Sequence, residues 1–255
     1  MTHTFGPRHL IGATASAIRR QGRAMLAAAP WSLAVFTLTL PLAVMVGTLY
    51  GPLAWVLLVS ALANLIAFSR MAFAWHRVIV LEDAARIDSV SGGTGQARHL
   101  VLLGALAIAA MVLARMTGDL PYLLYMVMDA PPSTLFLAVL IVVILLVWLP
   151  LLYGLAVIGL SLPRSAVTGE YGLVGIRDTM RYPRWPLMLG LAAMIALGGL
   201  AHGQLFELVI HYTDTGLAWS LLYVVSCVAA TFIVMAMYAV AYRDSTSATG
   251  ATCSA

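Results

Sequence analysis

The chain is 255 residues long, 62% hydrophobic and only 9% charged, whereas about a quarter of the residues of an ordinary soluble domain carry charge, so it cannot clothe itself in polar surface. Its formal charge of +4 comes from 14 basic residues against 10 acidic ones, and every basic residue is arginine. In so apolar a chain a basic excess reports orientation in a membrane rather than nucleic-acid binding. The two distant cysteines, Cys227 and Cys253, imply no disulfide framework.

Residues 1–30 form a leader in which Ile11, Ile18 and Met25 recur every seventh residue, with Leu10 and Leu26 beside them. Ser16, Arg19, Arg20 and Arg23 fall on the other face, the pattern of a cytoplasmic amphipathic helix lying in the membrane interface. An apolar run over about 31–50 predicts the first span; Gly47, Gly51 and Pro52 make a charge-free turn into a second span over 53–81. A polar loop from Glu82 to His99 precedes a short third span over about 100–116, interrupted by Arg115, Gly118, Asp119 and Pro121. Leu120 to Met128 is then expected to lie along the outer surface, because Gly118 and Pro121 discourage continuation of the helix. The fourth span covers about 135–162 with a kink expected at Pro150. A polar connection from Arg164 to Trp185 leads to spans five (186–211) and six (217–242), and a polar tail over 243–255 ends the chain.

The fold class expected is therefore all-α, a polytopic transmembrane bundle of six helices arranged as three hairpins with cytoplasmic amphipathic helices. Orientation follows from the arginines, which are retained on the cytoplasmic side. The leader, the second and fourth connections and the tail hold Arg8, Arg19, Arg20, Arg23, Arg77, Arg86, Arg98, Arg164, Arg177, Arg181, Arg184 and Arg243, while the opposite side holds Arg115 with Asp119, Asp129, Glu207 and Asp214. Both termini are thus placed in the cytoplasm. Trp31, Trp75, Trp185 and Trp219 fall near span ends, where an interfacial aromatic belt would place them.

Chemistry-bearing residues are sparse. No nucleophile elbow, paired-carboxylate site or dinucleotide fingerprint is present, and neither a metal nor a cofactor is expected. Glu207 and His211 lie one turn apart without a second ligand cluster. The candidates for contact with anionic lipid or a partner protein are Arg19, Arg20 and Arg23 of the leader, His76, Arg77 and Glu82 at the end of span two, and Arg177, Arg181 and Arg184 before span five. Arg115 and Asp119, also one turn apart, are the candidate buried charge pair.

Two stretches carry a resemblance: Phe73-Ala74-Trp75-His76-Arg77-Val78-Ile79-Val80-Leu81-Glu82, and Leu162-Pro163-Arg164-Ser165-Ala166-Val167-Thr168-Gly169-Glu170 leading to Arg177-Asp178-Thr179-Met180-Arg181 and Trp185. In these the chain resembles a group of bacterial six-helix membrane proteins without an assigned activity, similar in layout to the membrane domain attached to some glycerophosphoryl diester phosphodiesterases. The chain carries no phosphodiesterase barrel, so the resemblance implies the six-span topology and not that activity. The function expected is a non-catalytic inner-membrane scaffold or regulator contacting anionic lipid or a partner through its cytoplasmic arginines, the alternative being a small-solute transporter or channel.

Overall fold

A computed structural model describes residues 6–46, 52–81, 93–128, 133–173, 182–211 and 216–252. The helices are α1 (Pro7–Ala28), α2 (Pro30–Val44), α3 (Pro52–Leu81), α4 (Thr94–Met128), α5 (Thr134–Gly159), α6 (Ser161–Thr168), α7 (Trp185–His211) and α8 (Gly216–Thr252). The all-α class holds, and the segments Leu53–Leu81, Thr94–Met128, Thr134–Thr168, Trp185–Val209 and Gly216–Thr246 are each long and apolar enough to cross a bilayer. The bent pair α1–α2 brings the number to as many as six. The chain is a membrane protein. Helices α2 and α3, α4 and α5, and α7 and α8 pack against one another as three pairs, while Gly47 and Gly51 of the first expected turn lie outside the described residues.

Pro30 sets the first corner. A residue before proline is pushed out of the helical region, and Ala29 sits at φ −147°, ψ 58°, so α1 stops and α2 starts afresh with proline where no N–H is needed. The two helices are bent by 86°. A second proline acts alike further on: Pro163 lacks the N–H that would reach the Gly159 carbonyl, and the chain breaks at Leu160 before α6 begins. Pro150, where a kink is expected, lies inside α5, whose helical assignment runs on past it.

The third span differs from expectation. Rather than ending near 116 with Leu120 to Met128 laid along the surface, α4 continues through Gly118 and Pro121 to Met128, 35 residues in all, or about 52 Å at helical rise. Pro121 forfeits one backbone bond, to the Thr117 carbonyl, and the leucines, methionines and alanines around it are good helix formers. Thr117 also ties this turn to α5, its hydroxyl donating to the Leu113 carbonyl at 2.8 Å and accepting from Trp148 Nε1 at 2.6 Å. Arg115 and Asp119 consequently form an ion pair at 3.6 Å with side chains 77% and 57% exposed, so the pair is not buried.

The core is densest at the arginine-bearing end. Residues 71–79 of α3 are all buried except the half-buried Ala74, and residues 234–241 of α8 are buried without a break. Ala236, Ala239 and Ala241 keep α8 slim there, and α1 packs across both helices as an added layer while α6 packs against α3 and α4.

Candidate functional site

The arginine-bearing end is built around Trp75. Its indole is 1% exposed, packs edge-on against Phe232 with ring centroids 4.8 Å apart, and donates from Nε1 to the Met25 carbonyl at 2.8 Å, which pins α1 to the bundle. Trp75 is therefore a core residue and not a member of an aromatic belt; Trp31, Trp185 and Trp219 remain exposed. The face that α1 buries is Leu10, Thr14, Ala17 and Met25, rotated from the expected stripe, with Ile11 and Leu26 left exposed at its flank. Small Ala17 and Thr14 lie in the interface of α1 with α3 and α8, with Ile18 partly buried beside them. Arg19, Arg20 and Arg23 stand exposed on the far side.

At the same end of the bundle lies a polar knot. His76 on α3 and His99 on α4 are both 0% exposed, their rings edge-to-face at 5.4 Å, with Phe73 meeting His99 edge-on at 5.5 Å and the Arg77 guanidinium over the Phe73 ring at 5.7 Å. His99 Nδ1 lies 3.1 Å from Ser165 Oγ and 3.2 Å from the Leu162 carbonyl on α6. The Ser165 hydroxyl donates to that same carbonyl at 2.9 Å, so Nδ1 is the donor to the carbonyl and the serine oxygen. The Met235 carbonyl of α8 is turned toward His76 without closing a well-formed bond. Four helices meet in this knot, and both rings are sealed from solvent.

The α6 end is clasped to the α4 start. Gly169 takes φ 74° and its N–H returns to the Ser165 carbonyl at 3.1 Å, a left-handed cap that glycine adopts without steric cost. Arg98 donates to the Gly169 carbonyl at 2.7 Å, and a Cβ on Gly95 would stand 3.3 Å from Gly169 Cα, so the two glycines permit the approach. Gly169→Ala should cost about 1–2 kcal/mol, read as a lower melting midpoint of the detergent-solubilised protein. An unchanged midpoint would mean that the clasp carries no stability.

A further link joins the leader to the last helix. Tyr182 donates to Asp244 Oδ2 at 2.6 Å, and with its one proton so placed its hydroxyl accepts from His9 Nδ1 at 2.9 Å. Burial, and then the Asp244 carboxylate, push the Tyr182 phenol above its ordinary range, opposed only by Arg243, so it remains a donor at any physiological pH.

The expected contact residues fare differently. Arg19, Arg20 and Arg23 are presented together on one face. His76 and Arg77, expected at headgroup level, are instead 0% and 7% exposed because α1 and α6 cover the end of α3; they belong to the interior. Arg184 stacks over the Tyr153 ring at 5.3 Å and donates to its hydroxyl, bracing α5 against the start of α7. Glu82, Arg177 and Arg181 lie outside the described residues. The pairing of His76 with His99 escapes sequence reasoning, because 22 residues of mostly polar chain separate them and neither periodicity nor spacing signals the contact. The chain matches no family model, no curated protein and no solved structure.

Proposed function

We propose that the chain is a multi-pass protein of the bacterial cytoplasmic membrane, with both termini in the cytoplasm, acting as a non-catalytic scaffold or regulator. Its contact with anionic lipid or a partner runs through the arginines of α1. The observation carrying this reading is the right-angled α1, whose Leu10–Thr14–Ala17–Met25 stripe is buried on α3 and α8 while Arg19, Arg20 and Arg23 stand free of the bundle on the opposite face. A helix set across the axis of its neighbour, with arginines on one side, suits the headgroup plane, where each basic residue contributes about 1 kcal/mol. The six-span layout of the bacterial group that the sequence resembles supports the same topology.

The test is enrichment of phosphatidylglycerol over phosphatidylcholine around the purified protein in mixed nanodiscs. Replacing Arg19, Arg20 and Arg23 together by Gln should remove most of the enrichment, and high salt should do the same to the wild type. Enrichment that survives both would overturn the reading. Transport has less support: the Asn64 amide, the polar group deep in α3, donates to the Phe36 carbonyl at 2.8 Å and to Thr39 Oγ1 at 3.1 Å, and so serves to hold α3 on α2.

A further inference from the structure

Between α3 and α4, at the arginine-bearing end, is a cleft of about 240 Å³ lined by Ile66, Ser69, Arg70, Gly93, Gln96, Ala97 and Leu100. The geometry points to this cleft as a binding site for the phosphate of an anionic phospholipid. The inference rests on reading this end as the headgroup level and is independent of what α1 does.

Two side-chain donors line it, with the start of a long helix beside them as a third source of positive potential. Arg70 is exposed at the mouth, and no carboxylate of the described residues pairs with it. Ser69 is 1% exposed, and its hydroxyl has no hydrogen-bond partner although it lines the cleft. The third is the first turn of α4, a helix of 35 residues with no acidic residue in that turn. Gln96 and Ala97, which line the cleft, return their N–H groups to the Gly93 carbonyl, so what this end of α4 brings to the cleft is the positive end of its dipole, while Gly95 packs on Gly169. Gly93 offers no side chain to occupy that end. A helix end of this kind, beside a guanidinium and a sequestered hydroxyl, is arranged for a phosphate.

The rest of the lining decides which phosphate. Ile66, Ala97 and Leu100 give the cleft an apolar wall, of no use to a free anion but suited to the glycerol and upper acyl carbons of a lipid. From Arg70 the same face of α3 continues as Ile66, Leu62, Val59 and Trp55, all exposed, at steps of three or four residues. That track runs about 22 Å, longer than the roughly 15 Å that an acyl chain spans in its own leaflet, half of a core about 30 Å thick.

The test uses the full chain reconstituted in nanodiscs of phosphatidylglycerol and phosphatidylcholine, released into mild detergent and examined by native mass spectrometry for retained lipid. The wild type should keep one phosphatidylglycerol. Arg70→Gln should lower its occupancy about tenfold, the scale of one charge-assisted bond, and Ser69→Ala should lower it less. Gly93→Asp separates the site from the fold: aspartate is a good helix N-cap, so the melting midpoint should rise or hold while the lipid is lost by repulsion. The triple Gln variant of Arg19, Arg20 and Arg23 should leave this single lipid in place, which distinguishes failure here from failure of the α1 reading. Retention by Arg70→Gln and Gly93→Asp at wild-type level, or equal retention of phosphatidylcholine, would overturn the proposal. Displacement of the lipid by millimolar inorganic phosphate would overturn it too, by showing a free-anion site.

Discussion

Gly159→Val should destabilise the bundle by about 3 kcal/mol or more, at the upper end of what overpacking costs. A Cβ at this position would stand 2.6 Å from both Cζ and the hydroxyl oxygen of Tyr238. Tyr238 is 1% exposed in the middle of the continuously buried stretch of α8, so its ring has no room to swing away. The expected result is loss of the monodisperse peak in fluorescence-detected size exclusion after mild heating. Adding Tyr238→Ala should recover part of it, since the alanine vacates the volume that the valine needs. Unaltered heat resistance of the single variant would show that α5 and α8 are not in contact at this point.

That contact illustrates what could be read beforehand and what could not. Long apolar runs mark α3, α5, α7 and α8 because a membrane span must bury every backbone polar group within itself, and the resulting length of unbroken apolar sequence is visible locally. The leader helix is legible for the same reason, its arginines being periodic. Gly159, by contrast, is one of 21 glycines, and only the approach of Tyr238, 79 positions later, makes it indispensable. The rotated face of α1 also depends on its receptor: Thr14 and Ala17 are buried because α3 and α8 need a thin neighbour, which periodicity of large apolar residues does not report. At Pro121 the local rule was outweighed, since one lost backbone bond is a small defect in a helix of 35 residues. As for the candidate site, Arg19, Arg20 and Arg23 are where their spacing puts them, whereas Ser69 and Arg70 become interesting only once the start of α4 is laid beside them.

Trp75→Ala should have an effect of similar size by the opposite route. Truncating a buried tryptophan costs about 3–5 kcal/mol through the cavity left behind, and here it also removes the hydrogen bond to Met25 that holds α1 down. Trp75→Phe retains most of the packing on Phe232 and forfeits only that bond, for about 1 kcal/mol. Limited proteolysis separates the two contributions: the alanine variant should be cut rapidly within residues 7–28, the phenylalanine variant slowly. If α1 stays resistant in Trp75→Ala, its anchorage lies in the His9–Tyr182–Asp244 link instead.

The 86° corner at Ala29 gives the molecule a mechanical property. Transmembrane helices ordinarily adapt to a thinner or thicker bilayer by tilting. A stiff crossbar fixed at the corner, fastened again at Trp75 and lying among headgroups as proposed above would have one end lifted from them, or the other driven into them, by any tilt of the bundle. In a bilayer such a bar would work as a lever arm: a change in thickness that tilted the bundle would load α1 with a torque, borne by the Trp75–Met25 contact and the His9–Tyr182–Asp244 link.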